Sequence, residues 1–119
     1  MNYNTITLDN GKEINFKLNS KYSVELEKKT GKGIFEILQN SSLTTIITIL
    51  IYMRRWEVPN FSQDNAYELY DELIDNGYSM EDILIKVIYP TLVVSGFLKQ
   101  GELDDLLAEI EDRHNKTKE

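Results

Sequence analysis

The chain has no cysteine, a single histidine and only two prolines among its 119 residues. Without cysteine it forms no disulfide and offers no thiolate for catalysis or metal binding. The one histidine, His114, lies close to the C-terminal end, whereas triad chemistry needs a base that is held beside its nucleophile. The sequence therefore argues against an enzyme, and we expect no catalytic residue, no cofactor and no metal site.

Long hydrophobic runs and phosphate-binding loops are also missing. The longest apolar stretch, residues 46–53, is interrupted by Thr48 and is far shorter than the roughly 20 residues of a membrane-spanning helix. The polar N-terminus has no signal-peptide pattern. The Gly31-Lys32-Gly33 segment lacks the spacing of a phosphate loop. These features predict a cytoplasmic protein that binds no membrane.

Charge is divided unevenly along the chain. Residues 61–119 carry 14 acidic and 5 basic side chains, whereas residues 1–60 carry 8 basic and 6 acidic ones, and the net charge is −7. Nucleic-acid binding needs clustered lysine and arginine. The acidic second half therefore argues against a nucleic-acid partner and favours attraction to basic ones.

Residues 4–18 predict a β-hairpin. Two alternating segments, residues 4–8 and 13–18, flank Asn10-Gly11, a dipeptide that is typical of tight hairpin turns. An isolated hairpin is only marginally stable in water, so we expect the face with Ile14, Phe16 and Leu18 to pack on helices.

The remainder of the chain predicts about five to six helices, which gives a mainly α, α+β fold in a single domain, residues 1–119. A helical bundle is expected over residues 19–100, with an almost entirely apolar central helix over 43–57. Pro90 should kink or break a helix that runs from Met80 to about Leu98. Gly101 should separate a final acidic amphipathic helix, residues 102–113, and residues 114–119 should fray.

The final predicted helix and the two apolar residues Phe97 and Leu98 before it carry the candidate partner-binding residues. The narrow apolar stripe of the helix is surrounded by carboxylates, which we interpret as a solvated face. The stripe either docks on the core, or is presented to another protein or to a second copy of the chain. The candidate residues are Phe97, Leu98, Leu103, Leu106, Leu107 and Ile110.

The order of these segments resembles a known family. The hairpin "ITLDNGKEINFKL" leads into "NSKYSVELEKKTGKGIFEIL", followed after a buried helix by "NAYELYDELIDNG" and by "VSGFLK". This is similar to the tail assembly chaperones of long-tailed phages and prophages of low-GC Gram-positive bacteria. The resemblance covers residues 6–99 and lies in order and spacing, because no single motif in it is diagnostic.

The resemblance implies a binding function. Such chaperones hold the long, aggregation-prone tape measure protein while tail tube subunits polymerise around it, and they leave before the virion is mature. It also implies contact with the tail tube protein in longer forms of the chaperone. Two other functions remain open from the residues alone: an acidic inhibitor, antitoxin-like protein or DNA mimic, and a small structural subunit of a phage tail.

Overall fold

A computed structural model describes residues 2–39 and 42–118, with the side chains of residues 114–118 left out. A two-stranded hairpin precedes six helical segments, one of which contains a π-helical turn. The elements are β1 Asn4–Thr7, β2 Glu13–Phe16, α1 Ser20–Thr30, α2 Ile34–Leu38, α3 Leu43–Arg54, α4 Gln63–Asp75, α5 Met80–Ile83, the π-helix Leu84–Ile88, α6 Tyr89–Val94 and α7 Gln100–Lys118. The predicted fold class is confirmed.

The hairpin forms as its sequence predicts. β1 and β2 are antiparallel, with Ile6 opposite Ile14. Ile14, Phe16 and Leu18 are buried, so this face packs against the helices as expected. Backbone hydrogen bonds hold the end of the hairpin in place, because the Lys17 N–H donates to the Met53 carbonyl at 3.0 Å.

Helix α3 is the centre of the molecule. Ser42 caps its N-terminus by accepting a hydrogen bond from the Thr45 N–H. Ile46, Leu50 and Met53 are completely buried, and the helix packs against α1, α4 and β2. A helix that is apolar on nearly every side is stable only when it is surrounded in this way.

Pro90 neither breaks the helix nor ends it. Residues 80–94 stay helical, and the π-helical turn directly before Pro90 accommodates the proline within the helix. The Tyr89 N–H donates to the carbonyl of Leu84, five residues earlier. Since proline has no N–H, it cannot donate the helical hydrogen bond to the Lys86 carbonyl. The side chain of Asn4 donates to that carbonyl instead, at 3.1 Å.

The end of the bundle differs from the sequence prediction. The helix ends at Val94 rather than near Leu98, because Gly96 adopts a φ of +89° and its N–H donates to the Val93 carbonyl. This is a glycine C-terminal motif. Gly101, which was expected to separate the last helix, lies inside α7.

The predicted C-terminal boundary at Arg113 is also wrong. Helix α7 begins at Gln100 and continues to Lys118, through most of the segment that was expected to fray. No glycine or proline follows Gly101, so nothing in the local sequence stops the helix. Glu119 lies outside the described residues.

Candidate functional site

Helix α7 docks on the core. Its apolar stripe is therefore not held away from the core for another protein or a second copy of the chain, which was the other arrangement that the sequence left open. Leu98 and Leu103 are buried, with exposed fractions of 7% and 5%. The other four candidate residues pack against the core but stay half-buried: Phe97, Leu106, Leu107 and Ile110. Leu98 and Leu103 thus belong to the hydrophobic core. The other four side chains are partly accessible to a partner.

Two of these four residues line an open cleft. The cleft lies between α7, the end of α2 and the helical segment that begins at Met80, and it encloses about 570 Å³. Most of its lining is apolar. The apolar lining residues are Leu38, Met80, Leu84, Tyr89, Leu106 and Ile110.

Capping interactions set one wall of the cleft. The Ser79 hydroxyl accepts from the Asp82 N–H at 3.0 Å, and the Asp82 carboxylate accepts from the Ser79 N–H at 2.9 Å. This reciprocal pair starts the helix at Met80. Met80 is therefore held at the mouth of the cleft, where 40% of its surface is exposed.

The π-helical turn places the next two lining residues. In a regular α-helix, positions five apart differ by about 140° around the axis, so Leu84 and Tyr89 would face different directions. The π-type hydrogen bond between them closes one turn over five residues and brings both side chains to the cleft. The turn next to Pro90 therefore shapes the cleft as well as accommodating the proline.

Charged side chains lie at the edge of the apolar lining. Glu81, Glu109 and Arg113 also line the cleft, and the Arg113 guanidinium is 4.0 Å from the Glu109 carboxylate. Burial raises the pKa of the Tyr89 phenol, with Arg113 opposing the rise and Glu81 adding to it. Tyr89 consequently remains a protonated hydrogen-bond donor at neutral pH.

The exposed surface of α7 is strongly acidic. Between Gln100 and Arg113 the helix carries six carboxylates and one basic side chain. The other two basic residues of the helix, Lys116 and Lys118, follow Arg113 in the sequence. An apolar cleft beside an acidic helix suits a partner with apolar and basic side chains.

A second depression of about 310 Å³ lies between the loop after α1 and the start of α3, where Lys29 and Lys32 meet Thr44, Thr45 and Thr48. Its lysines are exposed to solvent. Across the described residues, no group of three or more histidine, aspartate or glutamate side chains is placed to hold a metal ion. Likewise, no helix there has the length and apolar character needed to cross a membrane.

Sequence reasoning found only part of the cleft. It selected Leu106 and Ile110 from the stripe of the last helix, but it missed Leu38, Met80 and Tyr89 as lining residues. The missing signal was the π-helical turn, because a regular helical period does not place Tyr89 beside Leu84. A proline after a run of apolar helical residues was the one local indication of such a turn.

No family model, curated protein or solved structure matches the chain.

Proposed function

We propose that the protein is a phage tail assembly chaperone, which binds the tape measure protein and keeps it soluble during tail assembly. The identity of the partner is inferred from the resemblance of residues 6–99 to tail assembly chaperones. The observation that carries the binding site is the open apolar cleft beside α7. It offers half-buried leucine and isoleucine side chains and the exposed Met80 to another polypeptide while the core stays packed.

The acidic surface supports the same function. A chaperone that covers an apolar segment must keep the complex from aggregating, and a high net charge does so. The net charge of −7, concentrated in residues 61–119, provides that repulsion. The cleft contributes contact area, and the carboxylates around it contribute solubility.

While the tape measure protein is bound, the chaperone helps to recruit tail tube subunits. This takes place in the cytoplasm of the host cell, and the chaperone departs before the virion is mature. It acts by binding, without catalysis.

Co-expression with the tape measure protein that we expect a neighbouring gene to encode tests the proposal. The native chain should raise the soluble yield of tape measure protein and purify with it. Met80→Asp should lower the recovery severalfold, because it places a carboxylate in the apolar mouth of the cleft. An acidic residue in the first turn of a helix is favourable, so this change should leave the fold intact.

Val24→Asp is the matched control. Val24 is 48% exposed on α1 and does not line the cleft, so the same substitution there should leave recovery unchanged. Tape measure protein that stays insoluble and separate in the presence of the native chain would overturn the proposal. Recovery of the chain in purified virions would point to a structural tail subunit instead.

A further inference from the structure

The shape and the charge of the cleft together specify the kind of segment that it accepts. We infer that the occupant is an amphipathic helix whose apolar stripe is flanked by lysine or arginine. This inference rests on the proposed function, in which the occupant is a segment of tape measure protein. It adds the conformation and the charge of that segment.

The walls of the cleft favour a helix over an extended strand. Leu106 and Ile110 are four residues apart on α7, and Met80 and Leu84 are four residues apart on the opposite wall. Residues with this spacing form ridges along a helix, and a third helix can pack its own ridge into the groove between two such rows. Both walls are helical, so they offer no strand edge with which an extended segment could pair.

The charge around the cleft favours a basic occupant. Glu81 and Glu109 line it, and Asp105 and Asp112 are exposed on α7. Arg113 is the one basic residue among the lining side chains of the described chain and lies next to Glu109, so the two carboxylates and one guanidinium of the lining carry a net charge of −1. Lysine or arginine beside the apolar stripe of the occupant would meet these carboxylates, whereas acidic residues there would be repelled.

Two synthetic helical peptides test the charge requirement. Both carry leucine at positions i, i+3, i+4 and i+7, and the polar face is lysine in one and glutamate in the other. Fluorescence anisotropy with the full-length chain at low salt should give at least about tenfold tighter binding of the lysine peptide. That preference should shrink as sodium chloride is added, because the carboxylates are exposed and are screened by salt.

A charge-reversal pair on one helix localises the binding. Glu109→Lys should weaken the lysine peptide by about threefold more than Glu111→Lys, because Glu109 lines the cleft and Glu111 does not. Both variants change the net charge equally and lie on α7. Equal losses from both would mean that the peptide binds the acidic surface in general, which would overturn the inference.

The remaining outcomes separate this inference from the proposed function. If tape measure protein purifies with the native chain but the two peptides bind equally, or neither binds, the inference fails while the proposed function stands. If the lysine peptide binds the cleft with the expected preference but tape measure protein is never recovered, the proposed function fails and the cleft retains its selectivity for basic helices.

Discussion

The side-chain amide of Asn4 compensates for the backbone donor that Pro90 lacks. Its Nδ2 donates to the carbonyls of Lys86 and Val87 at 3.1 and 3.3 Å, and in this way it ties β1 to the π-helical turn. The bond to Lys86 is exposed to water, whereas the bond to Val87 is partly buried and therefore contributes more to stability. One asparagine thus joins the first strand of the chain to the helix that shapes the cleft.

Asn4→Ala should therefore lower the free energy of unfolding by about 0.5–1.5 kcal/mol, since it removes the partly buried hydrogen bond to the Val87 carbonyl. Urea denaturation followed by circular dichroism measures the change. Asn2→Ala is the control, because Asn2 is exposed beside the same strand, and it should change stability by less than about 0.5 kcal/mol. Equal effects of the two substitutions would contradict the role given to Asn4.

An ion pair between Arg54 and Glu57 gives stability a dependence on pH. Arg54 Nη1 donates to Glu57 at 2.9 Å and to the Asn15 carbonyl at 2.6 Å, and only 12% of the Arg54 side chain is exposed. The hydrogen bond from Arg54 holds the pKa of Glu57 below its ordinary value of 4.5, and Asn15 adds to the effect. The unfolded chain therefore binds this proton more tightly than the folded one.

Because folding lowers the pKa of Glu57, its contribution to the free energy of unfolding is fully present above pH 4.5. That contribution is lost as the pH falls through the lowered pKa. Glu57→Gln should cost at most about 1 kcal/mol at pH 7, because the carboxylate is 40% exposed and screened by water. The difference from the native chain should shrink toward pH 3 in urea titrations. Glu68→Gln, which removes a charge from an exposed site, serves as the control, and a difference that is independent of pH would contradict the argument.

At the scale of whole elements, local signals predicted most of the architecture. The Asn10-Gly11 turn and the apolar run of α3 each place an element where the structure has it. These signals act within a few residues, so they can be read without knowledge of tertiary contacts.

Elements that depend on distant contacts were predicted less well. The π-helical turn is held in part by Asn4, which is more than eighty residues away in the sequence. The docking of α7 depends on the core surface that the other helices build. The stripe of α7 could therefore be read from its period, but the cleft that Leu106 and Ile110 share with Leu38 and Tyr89 could not.

Two glycines near the last helix should respond to alanine in opposite directions. Gly96 has a φ of +89°, so Gly96→Ala should destabilise the protein by about 1–2 kcal/mol even though the space around it is open. Gly101 is helical with open space around it, so Gly101→Ala should stabilise the protein by about 1 kcal/mol. Thermal unfolding of both variants measures the contrast. A destabilising Gly101→Ala would instead indicate that Gly101 separates the last helix from the preceding residues, as the sequence predicted.

For the molecule as a whole, stability should be graded from α3 outward to α7. Helix α3 is buried between α1, α4 and β2, whereas α7 packs mainly against α6 and leaves its acidic face in water. Opening of α7 would expose Leu103 and the half-buried Leu106, Leu107 and Ile110 without disturbing the centre of the core. Local openings of this kind cost less than global unfolding.

Native-state hydrogen exchange measures that gradient directly. Amides of α3 should exchange with a free energy close to that of global unfolding, and amides of α7 should exchange several kcal/mol more easily. Leu103→Ala should lower the protection of α7 further, because it removes the buried residue that fastens the helix near its start. The lysine peptide should raise protection of α7 in the native chain, since a ligand that binds only the docked arrangement stabilises it. Uniform exchange of α3 and α7 would mean that α7 opens only when the entire molecule unfolds, and the cleft would then be a rigid receptor.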